Sequence, residues 1–131
     1  KSRSKGIDLK LDINEKIPTT TGAINSLDLV RILGILLDNA FDAVSGKKQG
    51  ERIVRFGVIL NGSRLIFIVK NKYTIKPDMS KIFTKGYSTK GGEHGRGLAI
   101  VKRITDKYDD VFLNVKLEKE YFVTELNLQI V

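Results

Sequence analysis

Residues 86–97 read GYSTKGGEHGRG, with five glycines in twelve residues, and an apolar helical pattern begins directly afterwards. Such a loop offers backbone, hydroxyls and positive charge. Glycine lets successive N–H groups turn inward, and the helix that follows Gly97 presents its positive end to an anion. Ser88, Thr89 and Lys90 add donors and charge. Lys70, Lys72, Lys76, Lys81, Lys85 and Arg96 lie nearby in sequence, so positive charge gathers where the glycines are. The chemistry suggested is the holding of phosphate; the plain alternative is a flexible loop that ends at a helix. Two familiar phosphate motifs do not fit. A P-loop requires Gly-x-x-x-x-Gly-Lys-Ser/Thr, and no stretch matches. A dinucleotide fingerprint requires Gly-x-Gly-x-x-Gly/Ala directly after a strand; Gly95-Arg96-Gly97 follows a long loop and has Ile100 at the last position.

Asn39 is the second candidate. Its amide competes with the backbone for hydrogen bonds, so Asn is a poor residue for mid-helix. It lies within NSLDLVRILGILLDNAFDAVSG, which reads as a helix over 26–45 with Asn25 or Ser26 as its N-cap, Asp28 at its positive end and Gly46 at its stop. At about 100° per residue the apolar arc holds Leu29, Val30, Ile32, Leu33, Leu36, Leu37, Ala40, Phe41, Ala43 and Val44. The opposite arc holds Asp28, Arg31, Asp38, Asn39 and Asp42, with Ile35 among them. A lone apolar residue there fits an arc that lines a partly polar, partly greasy pocket. One side-chain carbonyl oxygen is a reasonable protein share for Mg²⁺, which completes its shell with water and phosphates. An ordinary exposed Asn is the competing reading.

The elements that would position these residues follow from periodicity. IDLKLDIN alternates strictly and reads as a half-buried strand. RIVRFGVIL and RLIFIVKN are β-rich runs joined at Asn61-Gly62-Ser63, a hairpin signal. Residues 72–97 lack periodicity and read as a lid or binding loop. A second helix is expected from Gly97 to Tyr108, with Leu98, Val101, Ile104 and Tyr108 on one stripe. VFLNVKLE and YFVTELNLQIV close as a second hairpin. The order β-α-β-β-lid-α-β-β predicts an α+β two-layer sandwich. Its sheet is mixed and largely antiparallel, with both helices on one face.

Composition bounds the rest. The 131 residues suit a single domain over 1–131, and 41% apolar residues supply a core. The absence of cysteine removes disulfides and thiolate metal sites. No apolar run approaches the roughly 20 residues of a membrane helix. The opening KSRSK, without an initiator Met, suggests a fragment of a longer protein. A net charge of +8 suits phosphate-bearing partners. Nucleic acid is disfavoured, because 8% aromatics gives no stacking platform and no recognition helix is visible.

LLDNAFDA around Asn39, IFTKGYSTK at 82–90 and HGRGLAIV at 94–101 together resemble the ATP-binding catalytic domain of bacterial sensor histidine kinases. That domain has the Bergerat fold of the GHKL superfamily, which includes gyrase and MutL. The three stretches look like its N, F and G2 boxes. Any one is weak; three in this order and spacing are specific, and the likeness spans essentially the whole chain. Among the kinases it is most similar to the Agr/Com-type peptide-pheromone group of quorum sensing.

The resemblance implies that Asn39 binds the Mg²⁺ of Mg-ATP, with Asp42 beside it. It implies that Phe83 and Tyr87 belong to the lid and that Ser88, Thr89 and Lys90 reach the phosphates. It also implies that Gly95, Arg96, Gly97 and Leu98 cradle the triphosphate. The γ-phosphoryl would pass to a histidine on separate dimerisation helices, with Asn39 and Lys90 serving the transfer, inside a homodimeric membrane sensor that signals from the cytoplasm to a response regulator. His94 reads as a lid residue and not the acceptor.

Three departures stand out. Asn71 occupies the place of the adenine-reading Asp, and the glycines of that box are missing; it keeps the acceptor oxygen without the charge. Ile35 occupies the place of the water-activating Glu of ATP-hydrolysing relatives, which argues for transfer over hydrolysis. The closing Gly-Thr-x-Phe is not visible around Thr124. The changed adenine box keeps an alternative open: a Ser kinase of the anti-sigma type, or a degenerate module of the same fold.

Overall fold

The computed structural model describes residues 8–13, 24–46, 50–73, 76–83 and 97–129. Five strands and two helices run in the order β1 (Asp8–Ile13), α1 (Ser26–Val44), β2 (Ile53–Asn61), β3 (Arg64–Lys72), α2 (Gly97–Thr105), β4 (Val111–Glu118) and β5 (Tyr121–Gln129). They form one sheet in the order β1-β2-β3-β5-β4. The β1–β2 pair is parallel and the other three pairs are antiparallel. Parallel neighbours need a crossover, and α1 supplies it. The expected α+β two-layer sandwich is the observed one.

Both β-hairpins turn on two residues. Asn61 pairs with Arg64 around Gly62-Ser63, and Gly62 has φ 61°. Gly at the first position of such a turn meets the positive φ at no steric cost. Glu118 pairs with Tyr121 around Lys119-Glu120, where Lys119 takes φ 55° without that freedom. Tyr73 braces this turn: its N–H donates to the Glu120 carbonyl at 3.2 Å and its hydroxyl to the Lys119 carbonyl at 3.1 Å.

Alternation along the strands sends one set of side chains to the helices. Val54, Val58, Leu65, Phe67, Val69, Leu126, Leu128 and Val111 join Ile32, Leu36, Ala40, Phe41 and Val44 of α1 and Val101 and Ile104 of α2 in one core. The other sheet face carries charge. Register aligns Lys10, Arg55, Lys70, Val123 and Lys116 across all five strands. Lys70 pairs with Glu118 at 2.9 Å and Lys116 with Glu125 at 3.4 Å. These pairs flank Val123, which is fully buried although it lies outside the helix-covered core. Arg64 closes the end of the face, donating to Asn127 at 2.6 Å and Gln129 at 2.9 Å with its guanidinium 5.4 Å from the Phe112 ring centroid.

Two details of α1 differ from expectation. Its stop is Ser45, whose hydroxyl donates to the Asp42 carbonyl at 2.9 Å, and Gly46 does not take a positive φ. Val30, placed in the core-facing arc by its sequence position, is 69% exposed. It stands at the edge of that arc near the start of the helix, and Leu27 one turn earlier is 79% exposed. The N-cap is Asn25, whose Oδ1 accepts from the Leu27 N–H at 2.7 Å.

Candidate functional site

The polar arc of α1 meets the first residue of α2. A Cβ built on Gly97 would lie 2.8 Å from both Asn39 Nδ2 and Oδ1, and 2.8 Å from Ile35 Cγ2. Only a residue without a side chain brings the backbone this near the amide. The start of α2, with its unpaired N–H groups and positive end, therefore sits directly on Asn39. Asn39 is half-buried, and no hydrogen bond from another described residue reaches its amide. Ile35 is explained by the same contact: it is the apolar floor under Gly97, half-buried and packed against the core. Two boxes separated by more than fifty residues of chain are thus brought into van der Waals contact.

Asp42 lies half-buried on the same side of α1. Leu98 follows Gly97 in α2 and packs against the core. Asn71 is 5% exposed at the end of β3, between Val54 and Phe122. Its Nδ2 donates to the Lys72 carbonyl at 3.1 Å. No described residue donates to its Oδ1. Thr124 is buried two register positions from Asn71, opposite Val69, and donates to the Val69 carbonyl at 3.4 Å. Phe83 sits elsewhere: the Lys102 ammonium lies 5.9 Å from its ring centroid. With Thr105, Asp106, Val111, Phe112 and Leu113 they line a cavity of about 190 Å³ between α2 and β4. Ser88, Thr89, Lys90, Gly95 and Arg96 lie outside the described residues, as do Tyr87 and His94.

The residues present fit a metal-bound phosphate group by two observations. A half-buried amide faces a helix N-terminus with no described partner, and the close approach beside it tolerates no Cβ. Among the described residues no cluster of three His, Cys, Asp or Glu could cage a metal, so any ion there would take most of its ligands from water and substrate.

One constellation was not singled out from sequence. The Tyr108 hydroxyl donates to Asp28 Oδ2, Lys107 Nζ lies 3.0 Å from the same carboxylate, and the Asn25 N–H donates to Tyr108 Oη at 3.4 Å. The Tyr108 hydrogen bond, then Lys107, hold the Asp28 carboxyl below the usual carboxylate range. The same carboxylate raises the Tyr108 phenol. A tyrosine whose polar tip ends an apolar stripe was the available signal.

Comparison with known proteins fits this geometry. A family model described as the GHKL domain matches residues 24–129. Sensor protein CitS of Bacillus subtilis is 33% identical over 104 residues, covering 78% of this chain and 19% of that protein. Sensor histidine kinase DcuS of Escherichia coli is 33% identical over 99 residues, covering 75% of this chain and 18% of that protein. The chain thus spans about a fifth of the length of the curated relatives it matches. In fold it is similar to the catalytic domain of histidine kinase ThkA, with TM-score 0.76 at 16% identity, covering 98% of this chain and 82% of that one. It is also similar to full-length ShkA in complex with AMPPNP, with TM-score 0.74 at 22% identity, covering 99% of this chain and 27% of that one. The peptide-pheromone subgroup finds no support among these relatives. The chain belongs to the GHKL domain family.

Proposed function

We propose that this domain binds Mg-ATP where the start of α2 meets the polar arc of α1, and presents the γ-phosphoryl to a histidine on the dimerisation helices of its own sensor kinase. The contact between Gly97 and the Asn39 amide carries the reading. Asn39 would hold the metal through its side-chain oxygen, and Asp42 lies close enough in sequence to orient water around it. The backbone N–H groups of Gly97 and Leu98 would hold phosphate oxygens at the helix N-terminus. Ser88, Thr89, Lys90, Gly95 and Arg96 are proposed as the lid's contribution, with Lys90 offsetting negative charge during transfer. Asn71 would accept from the adenine amino group. Bound Mg²⁺ would supply charge neutralisation across the phosphates. Ile35 itself offers no base, so water would not be activated from that position.

The parent protein is proposed to be a homodimeric membrane sensor that hands its phosphoryl group to a response regulator, as a protein of the CitS and DcuS kind. One relative is named a probable C4-dicarboxylate sensor kinase of Bacillus subtilis, 27% identical over 110 residues. Small carboxylates are therefore the signal class we favour over a peptide pheromone. No described helix is long and apolar enough to cross a membrane.

The test is labelling with Mg-ATP while the parent protein's dimerisation helices are supplied in trans. Acid-labile phosphohistidine on those helices supports the reading. Label on serine, or nucleotide binding without transfer, would favour the anti-sigma-type or degenerate module that the altered adenine box leaves open.

A further inference from the structure

We infer that Tyr108 and Asp28 are positioning residues for the nucleotide site, fixing where along its own axis α2 stands and so where Gly97 meets Asn39. The inference rests on the site proposed above and deepens it.

The two helices run antiparallel, and besides their apolar packing they are joined at one place by hydrogen bonds and at another by a close backbone approach. The C-terminal end of α2 meets the N-terminal end of α1 through Tyr108, Lys107, Asp28 and Asn25. The N-terminal end of α2 meets the middle of α1 through Gly97, Asn39 and Ile35. Eleven residues separate Asp28 from Asn39, and eleven separate Gly97 from Tyr108. Asp28 to Asn39 rises about 16 Å along α1, and Gly97 to Tyr108 takes in the nine residues of α2 and the tightened turn after it, so one contact stands at each end of α2. Moving α2 along or around its axis breaks both together.

Apolar packing alone does not set this position. Val101 and Ile104 pack against Leu and Ile side chains that accept sliding, since dispersion is weakly directional. Hydrogen bonds to a carboxylate are directional and shorter in range. The Tyr108 hydroxyl is used twice, as donor to Asp28 and as acceptor from the Asn25 N–H, so its place is fixed from two directions. Asn25 is also the N-cap of α1. The start of one helix is thereby tied to the end of the other. After Thr105, the Lys107 and Tyr108 N–H groups donate to the Ile104 and Thr105 carbonyls at 3.1 and 3.0 Å, a tightened turn that delivers the ring to the carboxylate.

The experiment compares this chain with its Tyr108→Phe variant, which keeps the ring in its packing and removes the hydroxyl. Two readouts are taken: the ¹⁵N-resolved resonances of the Gly97 N–H and the Asn39 side-chain amide without ligand, and the Kd for Mg-ADP. We expect both resonances to move and Kd to rise about three- to tenfold, in the range that displaced coupled networks show. Asp28→Asn, which still accepts from Tyr108 but loses the charge, should fall between. A folded Tyr108→Phe protein with unmoved resonances or unchanged Kd overturns the inference. Should that variant unfold, Lys107→Ala, at an exposed ammonium, is read in the same two ways with the same criteria. Failure of the wild type to bind Mg-ADP counts against the proposed function, while the ligand-free resonances still decide whether the clamp positions Gly97.

Discussion

Asn39 and Gly97 show how much two side chains, one of them absent, can specify. An Asn in mid-helix is less favourable than Ala by roughly 0.5 kcal/mol. Asn39→Ala should therefore raise the ligand-free melting temperature by about 2 °C. It should also abolish the stabilisation that Mg-ADP gives the wild type, which follows RT ln(1 + [L]/Kd). Differential scanning fluorimetry with and without Mg-ADP reads both changes. Gly97→Ala places a methyl 2.8 Å from the Asn39 amide and Ile35. That contact forces α2 away from α1, so unfolding free energy should fall by about 1–3 kcal/mol and Kd for Mg-ADP should rise at least about tenfold. Calorimetric titration of folded variant checks this. Asn39 stands out in the sequence because Asn is unfavourable in mid-helix, and the structure sets it against Gly97. Ile35 was legible as an anomaly, but its contact with Gly97 was not, because nothing in local spacing says which distant backbone covers it. Val30 was misplaced for the complementary reason: a helical wheel gives direction and cannot say where the neighbouring layer ends.

Elements were legible wherever periodicity spoke. The alternation in β1, the two hairpins and the stripe of α2 all follow from spacing alone. Turn chemistry was legible at Gly62 and silent at Lys119, a lysine forced to φ 55°. Lys119→Gly should stabilise the fold by about 1 kcal/mol by removing that strain, read as a higher urea midpoint at unchanged slope. The clamp between the helices was not legible, because it joins residues eighty positions apart. Its pH dependence has a definite sign. Asp28 has a depressed folded value, so its contribution is present above the ordinary carboxylate range, about 4, and is lost as pH falls through the lower folded value. Tyr108 is raised, so its contribution is present below about 10 and is lost as pH rises through the higher folded value. Urea midpoints measured across pH should fall at the acid end in wild type, and that acid limb should be shallower in Asp28→Asn.

Among the described residues, one face of the sheet carries both helices and the other carries none. The proposed function places the acceptor histidine on helices outside this domain, so this chain incubated alone with Mg-ATP should accumulate no acid-labile phosphate, as read by autoradiography before and after acid treatment. Sheet order was only partly legible: hairpins follow from turns, whereas the parallel placement of β1 beside β2 depends on the crossover through α1 and emerges only once the layers are assembled. The charged row from Lys10 to Lys116 was invisible in the linear sequence, since its members come from five strands. That row has a consequence for behaviour in solution. A twisted sheet with one side that no described helix covers invites stacking by a second copy, and on that side charged pairs stand around Val123. Ion pairs of this exposure fade as salt shortens the Debye length to about 3 Å at 1 M. Concentrated brine should therefore strip the guard from Val123 and its neighbours and drive copies together, a domain that self-associates on salting where most basic proteins would merely lose their anionic company.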